Sequence, residues 1–504
     1  MSSLKRDVLF DWKDHFKFSM TSSTYPKNLK KVRRKEFKRL KGHTFLDFGG
    51  CSLYSTRQID EFTDSLKRNV YGNPHSGNPS SDLMAFEVEK MRNTILEFFN
   101  VTSSEYSVVF TSGATAGLKI VGQAFNWAEG KSRYVYLEDN HTSVVGIREA
   151  AQDKGASAVC MRFPKSVSNM GDIKEFQPKY IGSEKDGKFL NNNQNNNLHS
   201  GNGEELSHLF AYPAQSNFSG RKYPLGWIRS VRNGLLGNVL KVGGSWYTML
   251  DAAAFVTSSK LDLKEYPADF VSMSFYKMFG FPTGIGALLV RNTSARELNN
   301  KVYFGGGTTR VYLPSENFRV FRSKLHERFE EGTISFLDIL ALKYGFSTIF
   351  RIVGSIENIS HHLFNLTHWL YHNMKDLTHK NGVKCIKLYS ASEYKSPTTQ
   401  GATIAFNIVN KYQGFVGFNE VLSKAAMVNI HLRGGCFCNV GACNYLLTIG
   451  DGNIKQIHKS GYVCGEVDIV EGQPVGAVRI TLGYMTTKAD VKRFLNFIKL
   501  TFIT

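Results

Sequence analysis

The stretch Phe270-Val-Ser-Met-Ser-Phe-Tyr-Lys-Met-Phe-Gly-Phe-Pro-Thr-Gly-Ile-Gly286 constrains this chain more than any other. It opens as an apolar run of strand type. It then places Ser274 and Lys277 ahead of Gly280, Pro282, Gly284 and Gly286, so the lysine sits on a tight turn just past a strand end. Surface lysines normally occupy polar helix faces, whereas Lys277 lies among Phe275, Tyr276, Met278 and Phe279. An amine in apolar surroundings loses part of its preference for the charged form, which suits a lysine that forms Schiff bases.

A partner lies upstream. Trp246-Tyr-Thr-Met-Leu-Asp251 reads as a buried strand ending in a carboxylate. A strand-end Asp, then a strand-end Lys one strand later, is the pairing that pyridoxal phosphate needs: Asp251 keeps the pyridine nitrogen protonated and Lys277 carries the aldehyde. The blander alternative is a solvated lysine and a helix-capping aspartate. Between Ser107-Val-Val-Phe-Thr111, a strand, and a following helix stands Ser112-Gly-Ala-Thr-Ala-Gly-Leu-Lys119. Such a small-residue turn turns free N–H groups and a helix dipole toward a phosphate, and Thr115 adds a hydroxyl, although many α/β turns look alike and bind nothing. The strand Arg133–Leu137 ends at Glu138-Asp-Asn-His141, where His141 either stacks on a flat ring or belongs to a helix-capping cluster. Leu209 to Pro213 resumes with a strand whose polar end puts Gln215 and Asn217 within reach of a ring oxygen or substrate.

With the strands Ser157–Phe163 and Ile285–Val290, these make seven strands alternating with helices, which predicts a doubly wound, mostly parallel α/β sheet. The polar residues singled out follow the carboxyl ends of strands, where such sheets bind ligands. Upstream, Ser81 to Asn100 is predicted as a helix with an apolar face of Leu83, Phe86, Val88, Met91, Ile95, Leu96 and Phe99. The turn-rich loop Tyr71–Ser80 offers His75, either as a site residue or as part of a structural loop. Lys165 to Ser207, with Asn191–Asn197, reads as a low-complexity, disordered insertion without chemistry. One long helical stretch is expected to run to about Lys375, and a smaller C-terminal α/β domain follows. The predicted division is 1–70 (basic segment and start of the small domain), 71–325 (large domain, with 165–207 inserted) and 326–504 (linking helix and small domain).

A chain of 504 residues with 42% hydrophobic content buries a large core, and no apolar run reaches transmembrane length. The N-terminus lacks the pattern of a secretory signal or a transit peptide, so a cytoplasmic enzyme without membrane contact is expected. The formal charge of +19 gathers partly in Lys27–Lys41. That cluster is either a patch for an anionic partner or a solvated helical face. The second is favoured because no nucleic-acid motif accompanies it. Seven cysteines are too few and too uneven for a disulfide framework. Three of them crowd into His431-Leu-Arg-Gly-Gly-Cys436-Phe-Cys438-Asn-Val-Gly-Ala-Cys443. A nucleophilic thiol near Arg433, a zinc site completed by Cys464 or a His, and buried structural cysteines all remain open. The glycines there suggest a mobile loop. Arg479, inside a strand, suits a bidentate hold on a carboxylate.

On these motifs the chain resembles the pyridoxal-phosphate-dependent cysteine desulfurases of the class V aminotransferase group, over roughly residues 40 to 504. Tyr71-Gly-Asn-Pro-His-Ser, Phe110-Thr-Ser-Gly-Ala-Thr-Ala, Tyr212-Pro-Ala-Gln-Ser-Asn-Phe-Ser-Gly and Gly435-Cys-Phe-Cys-Asn-Val-Gly-Ala-Cys are similar to the branch that sulfurates the molybdenum cofactor. Ordinary desulfurases have His before the Schiff-base Lys, and Tyr276 stands there, as in that branch. The resemblance implies fold type I with pyridoxal 5'-phosphate. It implies that Lys277 carries the cofactor and Asp251 pairs the ring nitrogen. His141 would stack on the ring, and Asn217 would sit near the ring hydroxyl or substrate. Thr115, the neighbouring amide at Ala114 and Ser274 would hold the phosphate. Arg479, with Arg433 nearby, would hold the carboxylate of L-cysteine. Arg-x-Gly-x-x-Cys falls on Arg433, Gly435 and Cys438, which makes Cys438 the expected persulfide carrier. The Gly-rich turn at Thr308 and Thr309 would reach the phosphate of a partner subunit, implying a homodimer. The expected sulfur acceptor is the molybdenum cofactor. The alternative is a general cysteine desulfurase or selenocysteine lyase. That branch usually carries a further C-terminal domain for its acceptor, so delivery to molybdenum calls for such a domain beyond this stretch or on another chain.

Overall fold

The computed structural model describes residue 25 and residues 29–164, 171–182, 206–390, 392–459 and 467–504. Thr44–Phe45 forms β1. The large sheet is built from β2 (Tyr106–Thr111), β3 (Arg133–Leu137), β4 (Ser157–Arg162), β5 (Gln177–Ile181), β6 (Ser207–Pro213), β7 (Ser245–Asp251), β8 (Phe270–Ser274) and β9 (Gly286–Arg291). Its order is β2-β9-β8-β7-β6-β3-β4-β5. The contiguous strands β8, β7, β6, β3 and β4 are parallel, while β9 and β5 run against their neighbours.

All seven predicted strands are present, and β5 makes the sheet eight-stranded. It comes from inside the stretch expected to be unstructured. Its sequence Gln-Pro-Lys-Tyr-Ile is largely exposed and has no apolar alternation to betray it. It exists because β4 offers an edge, where Pro178 is tolerated. The tract Asn191–Asn197 lies outside the described residues.

Period-2 alternation buries both faces of the sheet. Val108, Phe110, Val135, Leu137 and Phe210 belong to one core, and Val109, Tyr134, Tyr136, Leu209 and Ala211 to the other. The helix Pro79–Phe98 starts at Asn78, whose side chain accepts from Ser81 N, with Pro79 in the first turn. Its buried side is Met84, Val88, Met91, Ile95 and Leu96. Leu83 and Phe86, expected on that face, stand 37% and 59% exposed. The single long helix expected up to Lys375 is two helices, Phe336–Val353 and Ile356–Lys375, meeting at 61°. Gly354 ends the first with φ +79°, and the Ser355 side chain caps the second by accepting from Asn358 N. Among the described residues no single helix is long and apolar enough to cross a membrane.

Beyond a hairpin of β10 (Thr309–Leu313) and β11 (Phe318–Phe321), a second sheet follows. It contains β12 (Ile386–Tyr389), β13 (Thr403–Val409), β14 (Phe415–Val416), β16 (Arg433–Gly435) and β19 (Ala477–Thr481), in the order β12-β13-β19-β16 with β14 on β13. Here β15 (Ile430–His431) pairs with β1, and β17 (Ile469–Val470) with β18 (Gln473–Pro474). Thr44–Phe45 is thus paired with Ile430–His431, far along the chain. Arg33, within the basic segment, forms an ion pair with Asp490 of the helix Lys488–Phe502, so that segment is anchored and not only solvated.

Candidate functional site

Residues from the ends of β2, β3, β6, β7 and β8 converge on Lys277. The turn after β2 delivers the helix Ala114–Ala124, whose first amide donates to Ser274 Oγ at 2.8 Å, while Ser272 Oγ donates to Ala114 O at 2.8 Å. Backbone closeness here requires glycine. A Cβ on Gly286 would come 2.4 Å from Met273 O and 2.6 Å from Gly113 Cα, and Gly113 itself has φ +146°. The result is an N–H-lined cradle in which Ala114, Thr115 and Ser274 could hold a phosphate. Thr115 Oγ1 lies 2.8 Å from Ser143 Oγ.

His141 caps the short helix Thr142–Val145. Its Nδ1 accepts from Ser143 N at 3.1 Å, which leaves the Nε2 side of the neutral ring to carry its proton. Burial lowers its pKa; Asp251 opposes this, and Lys277 and Arg433 add to it. Asp251, at the end of β7, accepts from Ala253 N at 3.0 Å. Lys277 lies on the helical turn Tyr276–Phe279, closed by Gly280 at φ +76°. Burial pushes the Lys277 amine below its ordinary range. Asp251 partly restores it, Arg479 and Arg433 lower it further, and Cys438 raises it. These mutual influences show that His141, Asp251, Lys277, Arg433, Arg479 and Cys438 share one electrostatic neighbourhood.

Lys277, Gln215, Asn217, Arg479 and Thr481 line one cavity. Arg479, only 2% exposed, donates from Nη1 to Asn217 O at 2.9 Å and from Nη2 to Asp47 Oδ1 at 3.1 Å. Its guanidinium lies 4.6 Å from the Phe437 ring centroid. Asp47 escaped the sequence reading because it lies 432 residues from Arg479; the bridge between Asp47 and Thr481 joins them. Arg479 Nε, Thr481 Oγ1 and Gln215 Oε1 are buried without hydrogen-bond partners. Buried polar atoms are nearly always paired, so three orphans in one cavity fit a polar ligand. Arg433 pairs in register with Arg479 across β16 and β19 but is exposed.

The cysteine loop resolves its three alternatives unequally. Cys436 and Cys443 are buried and joined in a disulfide, against the expectation of unpaired thiols, while Cys438 is free and exposed. The turn through Phe437 and Cys438, both with φ +57°, brings the two ends together. Neither bonded sulfur is available to zinc, and Cys464 lies outside the described residues. Two successive non-glycine residues in the left-handed region cost about 1–3 kcal/mol each, so the surroundings must impose them. They do: Thr142 N and Oγ1 donate to Cys438 O at 2.7 and 3.0 Å, and Asn217 Nδ2 donates to Phe437 O at 2.6 Å. The loop expected to be mobile is thus tied down despite its glycines. Asn217, which also lines the cavity with Lys277, thus serves the loop too: its Oδ1 accepts from Asn439 Nδ2 at 2.9 Å.

Two further candidates stand elsewhere. Thr308 is fully buried, its hydroxyl donating to Gly305 O at 2.7 Å. His75 is exposed, and its amide donates to Asn73 Oδ1.

Known proteins agree with this architecture. A human protein named molybdenum cofactor sulfurase is 44% identical over 94% of this chain and 51% of its own. A Danio rerio protein of that name is 45% identical over 92% and 54%. The chain thus spans about half the length of the curated relatives it matches. A cysteine desulfurase structure from Thermococcus onnurineus superposes with a TM-score of 0.65 at 18% identity, covering 95% of this chain and 98% of that one. The Escherichia coli cysteine desulfurase CsdA gives 0.65 at 16%, over 94% and 98%. The fold is accordingly that of the fold type I desulfurases. The model of the family described as aminotransferase class-V matches residues 44–211 and 233–494, and the chain belongs to that family.

Proposed function

We propose that this chain is the cysteine desulfurase part of a molybdenum cofactor sulfurase, with pyridoxal 5'-phosphate as its cofactor. The observation that carries the reading is the meeting of Lys277, Asp251 and His141 with a free thiol, Cys438, beside a cavity lined by Arg479. The likeness to relatives named molybdenum cofactor sulfurase supports the choice within the family.

Ala114, Thr115 and Ser274 would hold the phosphate, Asp251 would pair with the ring nitrogen, His141 would face the ring and Lys277 would carry the aldehyde. The bound cofactor supplies an electron sink at the substrate's α-carbon. Arg479 receives the carboxylate of L-cysteine in a fork that already points two N–H groups at oxygens. Lys277, whose amine burial keeps below its ordinary range, moves the proton at the α-carbon. The Cys438 thiolate attacks the substrate sulfur. An S–S bond forms, the substrate C–S bond breaks, its electron pair stays on carbon with a proton, and alanine leaves. The sulfur, oxidised by two electrons, remains as a Cys438 persulfide for the molybdenum cofactor.

A homodimer fits the hairpin β10–β11, which exposes Val311, Tyr312, Leu313, Phe318 and Val320 beside exposed Val302 and Tyr303. A second reading, a general cysteine desulfurase or selenocysteine lyase, is favoured by the near-complete coverage of the cysteine desulfurase chains.

The test is mass spectrometry of the loaded protein after L-cysteine, following alanine and mapping sulfur. Alanine plus one added sulfur on Cys438 is expected. Lys277→Ala should lose the bound chromophore, whereas Cys438→Ala should keep it and lose the persulfide. Full persulfide on Cys438→Ala rules out this nucleophile. Alanine without sulfuration of added molybdenum cofactor favours the second reading.

A further inference from the structure

The strip 138–142 runs along the cysteine loop 437–441. A Cβ on Gly441 would come 2.0 Å from Glu138 O, so the two backbones touch where only glycine fits. Asp139, 2% exposed, lies between them. Its Oδ1 accepts from Asn439 Nδ2 at 2.6 Å and from Ser216 Oγ at 2.8 Å, and its Oδ2 from Tyr223 OH at 2.9 Å. Asn439 is fully buried; its Oδ1 also accepts from Ala442 N and so starts the helix Val440–Leu447. Thr142 holds the Cys438 carbonyl and Asn217 the Phe437 carbonyl. His141 belongs to the same strip.

We infer that Asp139 is a positioning residue: through Asn439, and with Thr142 and Asn217, it latches the sulfur-carrying loop onto the strip that presents His141, fixing Cys438 in register with the Lys277 site. This rests on the proposed role of Cys438. The loop leaves β16 of the second sheet, whereas its partners Asp139, Thr142 and Asn217 stand just past the ends of β3 and β6 in the large sheet. The Cys436–Cys443 disulfide and the bond from Asn439 N to Cys436 O close the loop on itself, and the latch adds the bonds that hold the Phe437 and Cys438 carbonyls against the large sheet's strand ends. Burial raises the pKa of the Asp139 carboxyl, and the hydrogen bonds from Asn439, Ser216 and Tyr223 together with the charge of Arg221 oppose that rise.

The experiment uses the full chain loaded with pyridoxal phosphate and compares Asp139→Asn, Asn439→Asp and the double variant. Each single change removes the carboxylate–amide bond; the double restores that bond with polarity reversed, though not the Asn439 amide's bond to Asn217 Oδ1, and Asp still caps the helix. Each single variant should keep the bound chromophore and KM for L-cysteine but form the Cys438 persulfide at least about tenfold more slowly, and the double should regain most of the rate. Hydrogen exchange gives a readout independent of turnover. The Thr142 amide, bonded to Cys438 O, should exchange at least about tenfold faster in both single variants. Thr142→Val, which removes only the hydroxyl contact, covers the case in which Asp139→Asn does not fold: slower persulfide formation at unchanged KM supports the latch, and an unchanged rate overturns it. Unchanged exchange and rate in Asp139→Asn, or slow single variants not rescued by the double, also overturn it. Wild-type protein that forms no Cys438 persulfide refutes the proposed function, and exchange in the variants still judges the latch.

Discussion

Replacing Arg479 with lysine probes the substrate side of the site most directly. The guanidinium serves Asn217 O, Asp47 Oδ1 and the Phe437 face at once, and its Nε is buried without a partner in a residue that lines the cavity. A lysine ammonium reaches one of these positions as a point charge but cannot reproduce the fork. Folding loses at least one hydrogen bond to a charged group, about 1.5–3 kcal/mol. Binding of the substrate carboxylate changes from bidentate to single, a loss of about 2–4 kcal/mol, or roughly 30- to 1000-fold in kcat/KM for L-cysteine. Alanine release under steady-state conditions measures the second quantity and urea denaturation the first. Asp47→Asn is the control. It keeps an acceptor for Arg479 and removes the partner charge, so folding stability should fall while kcat/KM moves by less than Arg479→Lys moves it. Arg479→Lys within roughly threefold of wild type, with folding intact, would refute the argument that this guanidinium holds the carboxylate.

Gly286→Ala should cost about 1–3 kcal/mol and lower affinity for pyridoxal phosphate, because the added Cβ meets Met273 O at 2.4 Å and Gly113 Cα at 2.6 Å; a cofactor titration matching wild type would count against the cradle. Only the neutral amine attacks an aldehyde, so loading of the apoprotein should rise with pH through the lowered pKa of Lys277. Asp251→Asn removes the carboxylate that favours the ammonium and should move that inflection to lower pH; an upward move contradicts the assigned neighbourhood. His208 accepts from Arg133 N through Nδ1 and donates through Nε2 to Gly243 O, and burial lowers its pKa to about 4. The unfolded chain therefore takes up this proton first. Stability is fully present above about 6.5 and declines as pH falls toward 4, by about 3 kcal/mol in total. In His208→Gln that part of the pH dependence should vanish from a denaturation series, and a parallel curve would show that another group is responsible.

Much of this was legible in sequence because it is local. Strand, turn and residue type follow one another within ten or so positions around Lys277, Asp251, Thr115 and His141, and the turn glycines mark where the backbone must come close. Period-2 apolar runs identified seven strands, whereas β5 carries no such signal and is specified by the edge it joins. Gly354 and Ser355 in adjacent positions could have announced the break between the two long helices. Nothing local marks Asp47 as the partner of Arg479, or Asp139 as the anchor of Asn439, 300 residues away. The sequence by itself determined the α/β class and the strand-end placement of the cofactor-type residues, and the family resemblance singled out Cys438 among the three thiols of its loop. Only the tertiary structure decided that Cys436 and Cys443 join while Cys438 stays free, that Asn217 also bonds the loop, and that the Thr308 hydroxyl is buried against Gly305 O. The physical reason is that hydrogen bonds and ion pairs between distant elements are chosen by which polar groups burial brings face to face, and no periodicity in the chain encodes that meeting.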